Sequence, residues 1–358
     1  MKQKIFIIQP YLTKYRLDIF KDLDSKFNEI YYIAANDKYY NYGVNKKEKR
    51  HKKILLLNRI NLRFCYYLVG IEKLILRIKP KKIIISGDFR SINYWIILLF
   101  SKIKNIEVFV HGQGLFKKNK KSYLSIALFK ISLLFCKKYI CYNKFTKFDL
   151  KNRLNISSYK ITNIDNTIIN NFPVAPKFKK RKEIIFIGRL RENSNLGILF
   201  DALIELRQKY KINFKIKIIG DGKEKNKLIK FIKTNQLKVK FYGQIYEPKK
   251  INKISKKSLF GIYPGNAGLS VVHYMSLSLI TIVHDAICNH SGPEPSYIKH
   301  NYNGFKFRYN DKDDLIKILK KIYFLNDAKL KKLAKNSYRT YQKLNKIKMS
   351  TKFEKILN

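Results

Sequence analysis

The chain has 358 residues, 46% of them apolar and 28% charged, which excludes a disordered protein and fits two globular domains of about 150 residues or more. Lysine and arginine number 76 against 25 aspartates and glutamates, so the formal net charge is +51. This charge excludes a mimic of an acidic protein and favours an anionic partner, namely nucleic acid, a membrane surface or a phosphorylated substrate. Compositional bias toward lysine accounts for part of it. Because arginine is scarce and no nucleic-acid-binding motif occurs, we predict no nucleic-acid partner.

Strands and helices alternate through the first half of the chain. Apolar runs predict strands at 4–9, 30–35, 53–57, 83–86, 106–110 and 137–142. Helical spacing of apolar residues predicts helices near 17–23, 62–78, 93–103 and 123–135. This alternation predicts a parallel sheet with helices on both faces.

The alternation restarts after NNFPVAPKFKKRK at 170–182, which we interpret as a linker because it combines prolines with a basic run. Further strands are predicted at 183–188, 214–220, 238–243, 259–263 and 279–283, and helices at 196–209, 223–234, 247–256, from Leu269 and over 312–348. We predict an α/β protein with two doubly wound Rossmann-like domains that face a central cleft. The predicted divisions are a first domain at 1–170, a linker at 171–182, a second domain at 183–335 and a basic helical tail at 336–358, for which packing on the first domain is one option.

Cysteines at positions 65, 136, 141 and 288 form no CxxC pair, and their apolar flanks predict buried thiols in a reducing compartment. The apolar part of the N-terminal MKQKIFIIQP is too short for a signal peptide, and no run reaches the ~18 apolar residues of a spanning helix. His284, Asp285, His290 and Glu294 match no metal-ligating spacing, so we predict neither a metal nor a cofactor.

Three strand–helix junctions of the second half are marked by glycine: Gly188-Arg189, Gly220-Asp221-Gly222 and Gly265-Asn266-Ala267-Gly268. Glycine allows a ligand to approach backbone amides, and a helix that starts after such a turn attracts anions. The segment PGNAGLSVVH at 264–273 fits a diphosphate-binding turn best, and Arg189 would add a cation. The alternatives are ordinary tight turns and a surface ion pair for Arg189.

Five segments occur in the order seen in retaining glycosyltransferases of family 4: IFIGRL (185–190), IIGDG (218–222), FYGQI (241–245), PGNAGLSVVHYMS (264–276) and GPEPSYIKHNYNGF (292–305). The chain resembles the bacterial surface-polysaccharide members, closely in its second half and loosely in its first. The resemblance implies a GT-B fold, no obligatory metal, and sugar transfer from a nucleoside-diphosphate donor to a saccharide acceptor, with a lipid-linked acceptor expected.

The resemblance also implies which residues bind the donor. Arg189 would contact the diphosphate, the GDG turn would lie beside the nucleotide, and Tyr242 would help to hold the base. Glu294 matches an acidic position of the family. The implied donor-binding set is Gly188, Arg189, Gly220, Asp221, Gly222, Tyr242, Gly243, Gly265, Asn266, Ala267, Gly268, Leu269, His273 and Glu294.

Three positions depart from the family pattern. Gly265 and His273 replace two glutamates, and Ser194 replaces a lysine. A histidine can accept one hydrogen bond from a ribose hydroxyl, but it lacks the two acceptor oxygens of a carboxylate. These departures support a second hypothesis, in which the chain is a catalytically weakened scaffold with the same fold.

The first half offers two catalytic candidates, His111 and Asp88. His111 lies in HGQG, and the resemblance implies a place beside the donor sugar; a hydrogen bond to a loop carbonyl is the alternative. Asp88 follows a strand and could accept a proton from the acceptor hydroxyl or cap the next helix.

Three further residues are candidates for acceptor binding, namely Tyr11, Arg16 and Gln113. Arg16 could contact an acceptor phosphate or pair with a carboxylate of its own helix. The segment 116–139 places lysines on both sides of an apolar helix, with Lys130 in the middle. It predicts either a helix on the anionic inner-membrane surface or a core helix with basic ends. We expect a cytoplasmic protein attached peripherally to that surface.

Overall fold

The chain divides into two units, Met1–Ile169 with Ile347–Asn358, and Asn170–Lys346. The computed structural model describes residues 4–37, 44, 53–117, 122–170 and 183–358. The division falls beside the predicted linker at 171–182, which lies outside the described residues. Of the predicted tail, the part from Ile347 onward belongs to the first unit and the part before it to the second.

Each unit contains one main sheet whose described strands all run parallel, as predicted. The first sheet has the order β3-β2-β1-β6-β7-β8-β9, the second the order β12-β11-β10-β13-β14-β15, and β4 and β5 form an antiparallel hairpin. The strands are β1 Ile5–Tyr11, β2 Ile30–Ala35, β3 Ile54–Leu57, β4 Arg59–Asn61, β5 Tyr66–Leu68, β6 Lys82–Ser86, β7 Glu107–Gly112, β8 Lys138–Cys141, β9 Ile161–Asn163, β10 Glu183–Ile187, β11 Lys215–Ile219, β12 Val239–Phe241, β13 Phe260–Tyr263, β14 Ile280–His284 and β15 Gly304–Phe307.

In the first unit, helices pack on both faces of the sheet. The described residues form twelve α-helices. They are α1 Lys14–Asp24, α2 Ile71–Ile78, α3 Ile92–Ile103, α4 Tyr123–Phe135, α5 Lys144–Leu154, α6 Leu196–Tyr210, α7 Lys225–Thr234, α8 Pro248–Ser255, α9 Ser270–Ser276, α10 Lys312–Tyr323, α11 Asp327–Asn345 and α12 Met349–Leu357. Within the described residues, no helix is both long and apolar enough to cross a membrane.

The first sheet shows why its strands are continuous apolar runs. Ile84 packs with Phe20 of α1 and Phe353 of α12 on one face. Its neighbour Ile83 packs with Tyr94 of α3 on the other. Successive strand residues point to opposite faces, so a strand covered by helices on both sides must be apolar at every position.

The helix predicted at 62–78 is wrong in its first half. That stretch contains the turn of the β4–β5 hairpin and strand β5, in which Tyr66 and Leu68 are buried at a spacing of two residues. The amide N–H of Leu68 donates to Asn93 Oδ1 at 2.6 Å. Gly70 has φ 87°, so α2 begins after a backbone conformation that favours glycine.

Apart from the β4–β5 hairpin and the 3-10 turns, the sequence prediction omitted three elements, namely α5, β9 and β15. Helix α5 begins at a capping box of Asn143 and Thr146, a signal that the sequence offers. The predicted helical region at 312–348 is divided because Asn326 caps α11 and accepts from the Lys329 amide at 2.9 Å.

The four cysteines are free. Cys136 and Cys141 are buried as predicted, whereas Cys65 is half-buried and Cys288 is exposed. The prediction fails at Cys288 because it lies in a short 3-10 turn at the surface.

Candidate functional site

Parallel strands place their carboxyl ends at one edge of the sheet, and in the second unit the glycine turns pack against one another there. The Gly220 amide N–H donates to the Gly243 carbonyl at 2.7 Å. A β-carbon on Gly220 would lie 1.8 Å from the Gly188 carbonyl oxygen, and one on Gly222 would lie 2.1 Å from that of Leu190. Glycine is therefore required by the close approach of backbone to backbone, with or without a ligand.

Asp221 is engaged inside its own turn. Its carboxylate accepts from the Gly222 amide at 2.8 Å and from Lys225 Nζ at 2.9 Å. The hydrogen bond from Lys225, followed by that from Gly222, lowers the pKa of Asp221 below its ordinary value. Tyr242 is half-buried nearby in the chain, with the Lys240 ammonium 5.3 Å from its ring centroid.

The loop before α9 begins with backbone amides that are hydrogen-bonded within the chain. It ends with amides that have no protein acceptor in the described residues, which we name the open amides. Its first three N–H groups bond within the chain: Gly265 to the Ser194 carbonyl at 3.1 Å, Asn266 to the Asn193 carbonyl at 2.8 Å, and Ala267 to His290 Nδ1 at 3.2 Å. In the part of the chain that the structure describes, no protein acceptor bonds the amides of Gly268, Leu269 and Ser270. An anion can therefore meet the last three amides, whereas the sequence prediction had assigned this role to the whole turn.

Two arginines lie on the segment that supports this loop. Arg189 is exposed. Arg191 Nη2 donates to Ser291 Oγ at 3.0 Å, and Ser291 Oγ donates to the Asn266 carbonyl at 2.8 Å. Ser291 also lies beside Gly268, since a β-carbon on that glycine would lie 3.7 Å from the Ser291 β-carbon. Sequence reasoning missed Arg191 and Ser291, although a second basic residue in GRLRENS was a visible signal.

Ser194, which replaces the lysine of the family pattern, cannot supply a charge. It is 1% exposed, and its amide N–H donates to the Arg191 carbonyl at 2.8 Å. Its hydroxyl bonds the same carbonyl and closes a short 3-10 turn at Glu192–Ser194. The cation that reaches the loop is therefore Arg191, which contacts it through Ser291, rather than the residue at position 194.

Glu294 lies beside the loop, and His273 belongs to the helix that follows the loop. Glu294 is 2% exposed, and its Oε2 would lie 3.8 Å from a β-carbon on Gly268. His273 lies on α9, where burial lowers its pKa to about 4, so the imidazole is neutral at physiological pH. A neutral ring offers one donor and one acceptor.

His290 binds the backbone of the loop and stacks on His284. The rings of His284 and His290 stack with centroids 3.7 Å apart. His290 Nδ1 accepts from Ala267, so its Nε2 carries the proton and donates to the His284 carbonyl at 3.0 Å. Burial lowers the pKa of His284 to about 4. Within the described residues, no group of three or more His, Cys, Asp or Glu side chains could hold a metal ion.

In the first unit, His111 and Arg16 are buried together on the sheet face that α1 and α12 cover. Arg16 donates to Asn166 Oδ1 at 2.7 Å and to Met349 Sδ at 3.4 Å, so it pairs with no carboxylate of its own helix. His111 contacts the Phe353 ring edge-on, and its pKa is held well below the ordinary value by burial and then by Arg16. The pocket between them measures about 10 Å³, enough for about one water molecule and no sugar ring.

The glycines that flank His111 have a local reason. A β-carbon on Gly112 would lie 2.2 Å from the Tyr139 hydroxyl, which also accepts from the Gly114 amide at 2.9 Å. Gly114 has φ 66°. Gln113 is half-buried between them. HGQG is thus shaped by a buried tyrosine, and nothing in these contacts requires a ligand.

The remaining candidates lie at the carboxyl edge of the first sheet. Both carboxylate oxygens of Asp88 accept from Arg90, each at 3.0 Å, and Tyr66 donates to Asp88 Oδ2 at 3.4 Å. Asp88 is not the cap of α3, whose N-cap residue is Ser91. Tyr11 accepts a hydrogen bond from Arg59.

Arg59, which sequence reasoning did not select, links these residues. Its guanidinium lies 3.8 Å from the ring centroid of Tyr66 and 5.1 Å from that of Tyr11. We name Tyr11, Arg59, Tyr66, Asp88 and Arg90 the edge cluster. It combines two aromatic rings with one carboxylate and two guanidinium groups.

Residues 168–340 match the family model described as glycosyl transferases group 1. This segment, just under half of the chain, is similar to the glycosyl transferases of group 1, and we name it the group 1 domain after that similarity. It contains every donor-binding residue that the sequence predicted, together with Arg191 and Ser291.

One curated relative is the GalNAc-α-(1→4)-GalNAc-α-(1→3)-diNAcBac-PP-undecaprenol α-1,4-N-acetyl-D-galactosaminyltransferase of Campylobacter jejuni, 27% identical over 159 residues. The match spans 43% of this chain and 42% of that protein, so the similarity extends over less than half of either chain.

Solved structures resemble the whole chain. HepE of Anabaena in complex with UDP and glucose covers 99% of this chain and of its own, with a TM-score of 0.72 and 14% identity. Sucrose-phosphate synthase of Thermosynechococcus elongatus covers 99% and 98%, with a TM-score of 0.74 and 13% identity. These likenesses confirm the predicted α/β fold of the GT-B type, with two Rossmann-like sheets.

Proposed function

We propose that the chain is a retaining glycosyltransferase that moves a hexosyl or related sugar from a nucleoside-diphosphate donor to a saccharide acceptor. The observation that carries this proposal is the meeting of Arg191, Ser291 and the open amides of residues 268–270 at one sheet edge, inside the group 1 domain. Backbone amides and arginine guanidinium groups are the ligands that phosphate oxygens favour.

The donor diphosphate lies in this proposal against Gly268 and Leu269, with Arg191 and Arg189 beside it. These groups take up the negative charge that develops on the diphosphate as it leaves, which is the largest single contribution in many enzymes. The nucleotide extends toward the turns at 220–222 and 242–243, because they follow neighbouring strands at the same edge.

In the transfer step, the bond between the anomeric carbon and the donor phosphate oxygen breaks. The acceptor hydroxyl oxygen bonds to the anomeric carbon on the same face, and the hydroxyl proton passes to the leaving phosphate oxygen. We place the proton there because both carboxylate oxygens of Asp88 already accept hydrogen bonds from Arg90. The products are a nucleoside diphosphate and the new glycoside.

The acceptor binds in this proposal at the edge cluster of the first unit. Tyrosine rings and an arginine–carboxylate pair are groups that contact sugar rings and hydroxyls. A lipid-linked acceptor is supported by the name of the Campylobacter relative, which includes a glycan linked to diphospho-undecaprenol. The product then enters surface-polysaccharide synthesis, such as that of capsule, lipopolysaccharide or O-antigen, at the inner face of the membrane.

The experiment is a panel of nucleoside-diphosphate sugars, incubated with the purified chain and lipid-linked saccharides. UDP-sugars come first because HepE was crystallised with UDP. We expect acceptor-dependent release of nucleoside diphosphate with one donor, and a product whose anomeric configuration matches that donor. A panel in which no donor binds or turns over contradicts the proposal.

The scaffold hypothesis is supported by Gly265, His273 and Ser194, and it predicts a different outcome. A scaffold would bind a nucleoside diphosphate without turnover across the whole panel, even with acceptor present. A nucleic-acid binder would instead bind single or double strands more tightly than an equally charged polymer, with an affinity that falls steeply with salt.

A further inference from the structure

Helix α4 has one face in the core and one face in solvent. Phe129 and Leu133 are buried on the inner face. On the outer face Leu124 is 73% exposed and Leu134 is 69% exposed. Since 123–135 contains one charged residue, Lys130, the exposed side of this helix is apolar along most of its length.

Helix α3 packs beside α4 and extends this surface. Leu99 and Ile103 on its outer side are exposed, Ile103 by 79%. We name the apolar face the set Leu99, Ile103, Tyr123, Leu124, Ile131 and Leu134, all of which are exposed. Large apolar side chains exposed on two helices that pack side by side indicate an interaction site.

The charge around the apolar face decides between possible occupants. Between positions 91 and 148 the chain has eleven lysines and one acidic residue, Glu107. Glu107 pairs with Lys82 and Lys137, so its charge is already compensated. Lys102, Lys104 and Lys130 are exposed close in sequence to the apolar residues.

A second copy of the chain fits this surface poorly. Self-association through the apolar face would bring two lysine-rich surfaces together, and each copy has a formal net charge of +51. Like charges at an interface oppose association. An anionic lipid surface offers the opposite charge together with an apolar layer beneath it.

We propose that the apolar face of α3 and α4 docks the protein on an anionic lipid bilayer. Leucine and isoleucine side chains enter the boundary between head groups and acyl chains, while the lysines contact the anionic head groups. Helix α4 has 13 residues, which gives a length of about 20 Å against about 30 Å for the hydrocarbon core, so it lies in the membrane plane. This docking does not depend on the proposed transfer activity.

The single tryptophan of the chain reports on this surface. Trp95 lies on α3, half-buried, with its Nε1–H donating to the Phe89 carbonyl at 3.0 Å. The test uses vesicles with and without phosphatidylglycerol, some of which contain acyl-brominated lipid, and the full-length chain. We expect binding to the anionic vesicles, and quenching of Trp95 emission by the bromine atoms.

The variant that tests the apolar contribution is Leu124→Gln/Leu134→Gln, which keeps all lysines and the helix propensity. We expect its partition onto anionic vesicles to fall about tenfold or more. The matched control is Phe324→Gln in the second unit, because Phe324 is 68% exposed, close to the value of Leu134. Its partition should stay unchanged.

Two outcomes overturn the proposal. One is vesicle binding that the double substitution leaves unchanged, or that occurs without bromine quenching, since charge alone would then hold the protein. The other is a dimer in the absence of lipid that the double substitution dissociates, since the occupant would then be a second copy. Circular dichroism and the melting temperature of each variant separate misfolding from loss of docking.

Discussion

The carbonyl oxygen of Asn193 lies 2.2 Å from the position that a β-carbon on Gly265 would occupy. The same carbonyl accepts the amide N–H of Asn266 at 2.8 Å. The start of the loop is thus fixed to the turn at 192–194 by its own backbone. Position 265 has no room for the glutamate of the family pattern.

We therefore expect Gly265→Ala to destabilise the second unit by about 2 kcal/mol or more, because backbone must move to relieve the contact. Gly268→Ala is the matched variant, since the nearest atom to its β-carbon lies 3.6 Å away, an ordinary contact. Gly268→Ala should melt like the unchanged protein but bind nucleoside diphosphate more weakly, because a methyl group then stands before the open amides. Thermal denaturation and calorimetric titration measure the two effects.

Gly265→Glu extends this test to the family pattern. If the second unit had room for the carboxylate of the family pattern at position 265, this substitution would raise activity. We expect instead a lower melting temperature than that of Gly265→Ala. A stable Gly265→Glu protein with higher activity would contradict the steric argument.

Arg191 provides the second prediction. Because it is held at the loop by Ser291 at 3.0 Å, we expect Arg191→Ala to lower kcat/KM by about 10-fold to 1000-fold, the effect of removing one charged donor from a leaving group. Arg191→Lys should restore part of this loss, since it keeps the charge but not the planar fork. The measurement is steady-state kinetics with the donor that the panel selects.

The control for Arg191 is Arg339→Ala on α11, an exposed arginine of the same unit. Its kinetics should not change. Equal losses in both variants would show that the general positive charge of the second unit, rather than a contact at the loop, attracts the donor.

The sequence predicted most strands of the two sheets, because a strand covered on both faces must be apolar at each position. A helix with one face in solvent does not need such a continuous apolar run. It failed at 62–78, where Tyr66 and Leu68 form a strand that is stabilised by Asn93, a residue distant in sequence. An apolar stretch alone does not reveal such a partner.

The candidate site was predictable to a similar extent. Glycine spacing located the turns of the second unit, since close backbone approach permits no other residue. It could not reveal that His290 already binds the Ala267 amide. For His111 and Arg16, packing of the C-terminal tail on the first domain was one predicted option, but no motif indicated that α12 would cover these two residues.

Acidification provides the third prediction. Burial lowers the pKa of His284 from 6.5 to about 4, so between pH 6.5 and 4 the unfolded chain binds more protons than the folded one. The contribution of neutral His284 to the free energy of unfolding is fully present above about pH 6.5. It falls as the pH decreases, by about 2 kcal/mol at pH 5. His284→Gln should lose less stability between pH 7 and pH 5 than the unchanged protein, as measured by urea denaturation midpoints.

His300→Gln is the control for this pH effect. The His300 ring is partly exposed, and although burial also lowers its pKa, the group can be hydrated when charged. Its substitution should alter the pH dependence less. The explanation by His284 fails if His284→Gln retains the whole loss between pH 7 and pH 5.

Arg16 distinguishes a structural cation from an acceptor contact. Its guanidinium is buried, and it donates to Asn166 on the loop after β9 and to Met349 at the start of α12. We expect Arg16→Met to cost about 2–4 kcal/mol of stability, because the buried acceptors on Asn166 and Met349 lose the guanidinium that donates to them. The melting temperature should fall by several degrees, while the KM for acceptor in the remaining folded protein stays unchanged. Arg339→Met, at an exposed site, should change neither quantity. A variant that melts normally but shows a raised acceptor KM would instead support the sequence-based interpretation, in which Arg16 contacts an acceptor phosphate.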